Sequence, residues 1–133
     1  MEVSYAWRGD FEDDEVNALH AEAFGHRLLD DRWRDQVERH SLGWVVARDG
    51  DHLVGFVNVA WDGGVHAFVL DTMVASARGR QGIGTELVAT VVGELRGAGH
   101  EWLHVDFDAE HRGFYLDACG FQPAEGAGLI DLR

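Results

Sequence analysis

Two arginines and three glycines stand directly before a helix-forming run in the stretch "ASARGRQGIGTELVATVVGEL", residues 75–95. The glycines are Gly79, Gly82 and Gly84, and the arginines are Arg78 and Arg80. The first turn of a helix leaves backbone N–H groups unpaired, and the helix dipole adds partial positive charge there. Glycines let an anionic group approach such a backbone closely. The stretch therefore predicts a phosphate-binding loop, against the alternative of a loop with solvated arginines.

Two common nucleotide-binding motifs do not fit these residues. A P-loop requires Lys followed by Ser or Thr after its last glycine, whereas Thr85 and Glu86 follow Gly84. A dinucleotide-binding fingerprint requires a third glycine near the position that Leu87 occupies. Nucleotide hydrolysis and dinucleotide binding are therefore both disfavoured.

The stretch resembles the acyl-CoA pyrophosphate loop of the GCN5-related N-acetyltransferases, the GNAT family. The signature of that family is Arg or Gln, two residues, Gly, one residue, and Gly or Ala, after a strand that ends in small apolar residues. Here "LDTMVAS" ends the strand, and Gly82 and Gly84 are the signature glycines. The Arg/Gln position falls on Gly79, with Arg78 just before it, so the chain departs from the signature at that position.

A second stretch, "HVDFDAEHRGFYLDACGF" at residues 104–121, is similar to a later motif of the same family. In that motif a strand is followed by Asn, a helix that carries Tyr, and Gly-Phe. Tyr115 and Gly120-Phe121 match it, and Asp108 stands where Asn is usual. The resemblance covers nearly the whole chain, from about residue 3 to the C-terminus.

The resemblance implies an N-acetyltransferase in which a primary amine attacks the thioester of acetyl-CoA directly. Tyr115 would be the general acid that protonates the departing thiolate. A backbone N–H near Met73 and Val74 would polarise the carbonyl, and a β-bulge in that strand would open a slot for pantetheine. The residues implied to bind acetyl-CoA are Met73, Val74, Arg78, Gly79, Arg80, Gln81, Gly82, Ile83, Gly84, Thr85 and Asp108. The alternative is a GNAT-fold module that binds or senses acyl-CoA without turnover.

The general base is left open between Asp71 and His66. Both lie in one predicted strand, five residues apart, so strand alternation directs them to opposite faces. A histidine suits proton transfer at neutral pH, directly or through water. His104 and Asp106, which share a face of the next strand, are further candidates. The residues expected to contact the acceptor are Phe24, His26, Trp33, His104 and Asp106.

Metal-ligand side chains are dense in "HVDFDAEH", but we predict no metal site, because no closed ligand set is evident. The side chains considered are His104, Asp106, Asp108 and His111. The single cysteine, Cys119, excludes an internal disulfide, which fits a reducing cytoplasm. We expect it to be a small buried residue rather than a nucleophile.

The elements that must position these residues follow from hydrophobic periodicity. Strands are predicted at residues 3–7, 44–48, 53–61, 65–74 and 102–107, with a final strand pair around Phe121 and residues 129–132. Helices are predicted at residues 11–24, 30–40, 82–96 and 110–118. An antiparallel meander followed by a strand–helix–strand unit predicts an α/β fold with a mixed, mostly antiparallel, twisted sheet flanked by helices. This is the sheet of the GNAT fold, in which the bulged strand opens a V-shaped slot for acyl-CoA.

Composition limits the function classes. With 133 residues, of which 46% are hydrophobic, residues 1–133 are expected to form one domain with a real core. The net charge of −13 argues against nucleic acid or an anionic membrane as partner and favours a cationic or neutral substrate; the acceptor is expected to be a small-molecule or peptide amine that is cationic. No apolar run approaches the length of a membrane span, and the N-terminus is acidic, so a cytoplasmic location is expected. The sequence is also compatible with a homodimer.

Overall fold

The computed structural model describes residues 2–78 and 81–133, and most of its elements lie close to the predicted ones. The strands are β1 (Val3–Trp7), β2 (Gly43–Asp49), β3 (His52–Trp61), β4 (His66–Val74) and β5 (Trp102–His104). The helices are α1 (Asp13–Phe24), α2 (Trp33–His40) and α3 (Ile83–Gly97). The shorter elements are 3₁₀ turns at Ser76–Arg78 and Ala109–His111 and a π-helical turn at Gly113–Ala118.

The strands form one sheet in the order β1-β2-β3-β4-β5. Strands β1 to β4 are antiparallel neighbours, whereas β5 is parallel to β4. Helix α3 lies between β4 and β5 in the chain and supplies the crossover that parallel strands require. The predicted mixed, mostly antiparallel sheet flanked by helices is confirmed.

Each face of the sheet is covered by its own hydrophobic core. On one face, which we call the α3 face, the core contains Val45, Val57, Ala67, Val69, Leu87 and Val91. On the other, the α1 face, helices α1 and α2 pack against the sheet, and the core contains Phe11, Val16, Trp33, Phe56 and Met73. Helix α3, with 15 residues, is the longest that the structure describes. No helix within the described residues has the length and apolar character needed to cross a bilayer.

Polar contacts of Glu15 and Asn17 help to hold helix α1 in place. The Glu15 carboxylate accepts a hydrogen bond from the Glu12 N–H at 2.9 Å and also bonds Arg48 of β2 at 2.8 and 2.9 Å. The buried Asn17 side chain donates to the Asp31 carbonyl at 2.8 Å and accepts from the Asp31 N–H at 3.2 Å. The first contact fixes α1 against the sheet, and the second fixes the segment that leads into α2.

Strand β4 carries the expected β-bulge. Phe56 and Asn58 of β3 are two residues apart, whereas their partners on β4, Met73 and Leu70, are three residues apart. Asp71 and Thr72 therefore share one partner position on β3. Asp71 has a φ of 54°, a left-handed conformation that non-glycine residues rarely adopt. A bulge bends its strand and increases the local twist, so it changes the direction of the side chains that follow.

Strand β5 is shorter than predicted, because it ends at His104 rather than at residue 107. Its pairing with β4 covers three residue pairs, the last of which is Phe68 with His104. The alternation of inward and outward residues nevertheless continues to Phe107. Since the bulge bends β4 just beyond this point, the two strands diverge there.

The final predicted strand pair does not form among the described residues. Residues 122–133 contain neither helix nor strand, and Leu129, Ile130 and Leu132 are almost fully exposed. A three-residue β5 offers little edge for pairing, and an isolated strand pair is marginal in water. The helix predicted at residues 110–118 is replaced by the second 3₁₀ turn and the π-helical turn.

The contact between Glu15 and Arg48 predicts a pH-dependent loss of stability. The hydrogen bond that Arg48 donates to the Glu15 carboxylate is the main cause that lowers the pKa of Glu15 below 4.5. A carboxyl whose pKa is lower in the folded state than in the unfolded state stabilises the fold at pH values above its unfolded-state pKa. That stabilisation is lost as the pH falls through the folded-state pKa. We expect Glu15→Gln to reduce the free energy of unfolding at pH 7 by about 1–2 kcal/mol. In urea denaturation the difference from wild type should shrink below pH 4.5.

The matched control is Glu125→Gln, which alters an exposed carboxyl in the C-terminal segment and should change stability little at any pH. A difference between wild type and Glu15→Gln that stayed constant down to pH 2 would contradict the charge-based explanation.

Candidate active site

Helix α3 begins with an uncapped turn. Gly82 is its N-cap residue, with a φ of 78°, and no side chain in the described part of the chain caps this end. The Glu86 N–H donates to the Gly82 carbonyl at 3.0 Å, which is the first backbone bond of the helix. The N–H groups of Ile83, Gly84 and Thr85 therefore have no intrahelical partner. With the positive end of the helix dipole, this is the geometry that the phosphate-binding prediction requires.

Of the two arginines predicted to contact phosphate, the structure describes Arg78. The Arg78 guanidinium forms an ion pair with Asp49 at the end of β2, and both side chains are partly buried. Gly79 and Arg80, also predicted to contact phosphate, lie outside the described residues. Gln81 is exposed. The donors that the structure describes at this site are therefore mainly backbone N–H groups.

The edge of β4 that faces β5 is open beyond Phe68, the last residue that pairs with β5. The Ala75 N–H donates to the Val54 carbonyl of β3 at 2.9 Å. In an antiparallel ladder, successive residues alternate between bonding the partner strand and pointing away from it. The Met73 N–H therefore belongs to the ladder with β3, whereas the Val74 N–H points to the open edge.

Tyr115 lies on the π-helical turn, at the α3-face side of the bulge. Its ring stacks on Phe107 at 5.3 Å between centroids and makes edge contacts with Phe114 and Phe121. Burial raises the pKa of Tyr115 above 10.0, and the neighbouring Thr72 hydroxyl works against this shift. Thr72 Oγ1 is buried and makes no hydrogen bond of good geometry to the described residues, so the two hydroxyls are close but poorly aligned. The phenol keeps its proton at neutral pH.

A cluster of polar side chains lies on the α1 face beside the bulge. His20 Nε2 is 3.9 Å from Asp71 Oδ1, and His20 Nδ1 is 2.6 Å from His26 Nε2. His26 Nδ1 is 2.7 Å from the Arg27 carbonyl oxygen. We call His20, His26 and Asp71 the bulge cluster. Burial is the main cause that raises the pKa of Asp71 and lowers the pKa of His20, so it opposes charge on both groups.

His20 was not among the residues predicted from the sequence. This residue lies one helical turn after Val16 and one before Phe24, on the apolar face of α1, so a histidine within an apolar stripe was the available signal. The position of His26 depends on Gly25, which ends α1 with a φ of 69°. The N–H groups of Gly25 and His26 both donate to the Ala21 carbonyl, and this turn directs His26 back towards α1.

The structure brings together three of the residues that were predicted to contact the acceptor. The rings of Phe24, His26 and Trp33 lie 4.5, 4.8 and 5.4 Å from the His20 ring. Phe24 is half exposed, but Trp33 is only 5% exposed. Trp33 therefore packs against His20 from the core, and its contact with the acceptor stays a prediction.

The prediction that His66 and Asp71 point to opposite faces is wrong. Ala67 and Val69 belong to the core on the α3 face, so His66 points to the α1 face. Asp71 approaches His20 of α1, so it lies on the α1 face as well. The bulge adds one residue between His66 and Asp71, which shifts the alternation of side chains by one, so both residues point to the same face.

His66 and His104 form a separate pair. His66 Nδ1 lies 2.7 Å from His104 Nε2, and the His104 ring stacks on Phe68 at 4.7 Å between centroids. Asp106 follows the end of β5, is exposed, and contributes to raising the pKa of Tyr115. These side chains are not part of the bulge cluster.

In the acidic segment after β5, the side chains of Asp108 and His111 lie near Glu110 rather than near His104 and Asp106. Their ligand atoms lie within 4.8 Å of one another, and all three residues are exposed. Exposed acidic groups of this kind are common without a bound ion, and the expectation that this chain holds no metal stays a prediction. Burial raises the pKa of the Cys119 thiol to about 11, which leaves a poor nucleophile at neutral pH.

A family model described as "Acetyltransferase (GNAT) family" matches residues 5–121. The chain therefore belongs to the GNAT family of acetyltransferases. A comparison with curated proteins found no match.

Solved structures agree with this assignment. The chain is similar to a probable acetyltransferase from meticillin-resistant Staphylococcus aureus at 20% identity, with a TM-score of 0.79 and 99% of each chain covered. It is similar to a GNAT family acetyltransferase from Streptococcus pneumoniae TIGR4 at 25% identity, with a TM-score of 0.73, covering 99% of this chain and 100% of that chain. It is also similar to AAC(6')-Iy, solved in complex with the bisubstrate analogue CoA-S-monomethyl-acetylneamine. That likeness has 15% identity and a TM-score of 0.78, covering 100% of this chain and 99% of that chain.

Membership of the family supports acetyl transfer, with acetyl-CoA as the acetyl donor. The described residues fit such a ligand, because an uncapped helix N-terminus and an open strand edge are both available. Residues of α3, β4 and the π-helical turn meet there.

Gly84 provides a test of the packing in this site. A Cβ added there would lie 3.0 Å from two ring atoms of Phe114 and 3.6 Å from Val74. Gly84→Ala must therefore displace Phe114 and disturb the turn that carries Tyr115. We expect the free energy of unfolding, measured in urea, to fall by about 1–3 kcal/mol.

Gly93, in the same helix, has open space where its Cβ would lie. Gly93→Ala is the matched control, and it should raise stability by about 0.5–1 kcal/mol, since alanine loses less backbone freedom on folding. Equal effects of the two substitutions would contradict the packing role of Gly84.

Proposed function

We propose that this chain transfers an acetyl group from acetyl-CoA to a primary amine by direct attack of the amine on the thioester. The observation that carries the proposal is the arrangement around the β4 bulge. Thr72 neighbours Tyr115 on one side, and Asp71 approaches His20 on the other. Groups able to give and to take a proton therefore flank the strand whose edge is open, which supports a site where two substrates meet.

The pyrophosphate of CoA is proposed to bind at the start of α3. The free N–H groups of Ile83, Gly84 and Thr85 can donate to phosphate oxygens without a competing cap. Because Arg78 is held by Asp49, we expect its contribution to be smaller than that of the backbone.

The thioester carbonyl is proposed to lie against the open edge of β4. The Val74 N–H points there and can donate to the oxygen as negative charge develops on it. Tyr115, whose pKa is raised by burial, is protonated and can supply the proton that the departing thiolate needs.

The proton acceptor is proposed to belong to the bulge cluster rather than to the pair of His66 and His104. His66 Nδ1 is engaged with His104 Nε2, and both residues lie in the paired part of β4 and β5 that precedes the bulge. Asp71 is the residue of the bulge cluster that the sequence singles out, and it lies two residues before Met73.

The acceptor is proposed to be a cationic small-molecule or peptide amine. A net charge of −13 raises the local concentration of cations around the protein. On the α1 face, the half-exposed Phe24 ring adds an aromatic surface of the kind that attracts cations. The complex of AAC(6')-Iy, whose analogue joins CoA to an acetylneamine, makes aminosugars a reasonable first class to test.

Release of the CoA thiol from acetyl-CoA, measured with a panel of polyamines, aminosugars and peptide amines, tests this function. N-acetylated versions of the same amines are the controls, because they lack the attacking nitrogen. Amine-dependent release supports the transferase. Tight acetyl-CoA binding without release for any amine would overturn it in favour of the alternative, a module that binds acyl-CoA without turnover.

The phosphate-binding role predicts a specific effect of Gly82→Val. A β-branched residue is strained at a φ of 78°, so the loop must change conformation and the α3 N–H groups lose their alignment. We expect acetyl-CoA affinity, measured by calorimetry, to fall at least about tenfold, the equivalent of roughly 1.4 kcal/mol.

The control is Gly63→Val in the turn between β3 and β4, where the glycine has a φ of 83° and no neighbour within 4 Å of an added Cβ. It introduces the same kind of backbone strain away from α3. Equal loss of affinity in both variants would mean that instability, rather than the phosphate site, is responsible.

The general-acid role predicts that Tyr115→Phe lowers kcat by about 10²–10⁴-fold with little change in acetyl-CoA affinity, because only the proton donor is lost. In wild type the alkaline limb of the kcat–pH profile should lie above 10.0, since burial raises the pKa of Tyr115. This limb should disappear in the variant.

Tyr5, the other tyrosine of the chain, lies on β1 at the opposite edge of the sheet and gives the control Tyr5→Phe. This control should leave kcat and the alkaline limb unchanged. An undiminished kcat in Tyr115→Phe would assign the tyrosine a structural role.

A further inference from the structure

The hydrogen bonds of the bulge cluster determine where its protons lie. The Arg27 carbonyl can only accept, so His26 Nδ1, at 2.7 Å, must carry a hydrogen. In neutral His26 the other ring nitrogen, Nε2, is then an acceptor. His20 Nδ1, at 2.6 Å, must therefore donate to it. Neutral His20 is left with an unprotonated Nε2, the nitrogen that faces Asp71.

His20 Nε2 and Asp71 Oδ1 are thus two acceptors that face each other across 3.9 Å, beyond hydrogen-bond distance. Within residues 2–78 and 81–133, the Asn58 side chain hydrogen-bonds the Asp71 carboxyl, and no side chain donates to His20 Nε2. The two side chains are 23% and 30% exposed, so a ligand can reach them. A group with two N–H bonds, such as an amine, would satisfy both acceptors.

The charged and titratable groups that face His20 come from three segments. They are Asp71 on β4, His26 in the turn after α1, and Asp31 just before α2. Burial, with a smaller contribution from His26, lowers the pKa of His20 below 6.5, and the two carboxyl groups oppose this shift. His20 is therefore neutral at pH 7, the state that a base requires.

We propose that His20 is the catalytic base, which takes the proton of the attacking amine on Nε2, with His26 and the Arg27 carbonyl as positioning groups. This inference rests on the proposed function. As the amine nitrogen bonds the thioester carbon, one amine proton passes to His20 Nε2. The C–S bond breaks, the thiolate takes the Tyr115 proton, and the products are the N-acetylated amine and CoA thiol. Solvent then returns a proton to Tyr115 and removes one from His20, while Asp71 stabilises the transient imidazolium.

Nitrogen-15 NMR of the free protein tests the positioning step without any turnover. At neutral pH we expect His20 to carry its hydrogen on Nδ1 and a bare Nε2. His26→Phe keeps a ring at this position but removes the acceptor, so His20 should shift towards the Nε2–H form. The signals of His66 and His104, which bond each other elsewhere, should not move and serve as the internal control. A wild-type His20 with Nε2–H at neutral pH would overturn the proposal.

Kinetics test the base itself. We expect His20→Gln to lower kcat/KM by about 10²–10⁴-fold and to leave acetyl-CoA affinity unchanged. The acid limb of the wild-type kcat/KM profile, expected below 6.5, should be absent from this variant. His40→Gln, which changes an exposed histidine at the end of α2, is the matched control and should behave as wild type.

The possible outcomes separate this inference from the function on which it rests. If the wild type is active but the acid limb persists in His20→Gln, the role of His20 alone is overturned. An undiminished kcat/KM in that variant would overturn it in the same way. A wild type that acetylates no amine in the thiol-release assay would overturn the proposed function and the role of His20 with it.

Discussion

One extra residue in β4 determines how the two faces of the sheet are used. Before the bulge, Ala67 and Val69 point into the core on the α3 face, and after it Met73 points into the core on the α1 face. Between them Asp71 adopts a left-handed conformation, at a cost of about 1–2 kcal/mol. Burial of Met73 offsets that cost, and the bend separates β4 from β5. The open edge and the two sets of side chains beside it depend on this insertion.

The loop proposed to bind phosphate shows that net charge does not by itself describe a local site. The chain carries a charge of −13, and carboxylates engage groups of the loop itself. Asp49 pairs with Arg78, and Glu22 accepts from the Ser76 N–H at 2.8 Å. Backbone N–H groups at the start of α3 are not neutralised in this way, and their field acts over a few ångströms, within the screening length of salt. An acidic protein can therefore still present an anion site.

Burial has opposite effects on the two groups proposed to move protons. It raises the pKa of Tyr115, which keeps its proton, and lowers the pKa of His20, which loses one. Both shifts have the same origin, since a low-dielectric environment disfavours the charged form of either side chain. An acid and a base can thus coexist at neutral pH on the two sides of one strand, even though the carboxyl groups of Asp71 and Asp31 oppose the shift in the pKa of His20.

Local sequence determined the elements whose signals are local. The strand at residues 3–7, the apolar stripe of α3 and the glycine loop follow from periodicity and composition, which depend on neighbouring residues. Tertiary structure decided the rest: the pairing of Arg78 with Asp49, the contact of Gly84 with Phe114, and the early end of β5. His20 could not be assigned from sequence, because its partner Asp71 lies on another element. A bulge shifts strand register by one residue and leaves little trace in the hydrophobic pattern, so only the folded sheet shows which side chains meet across it.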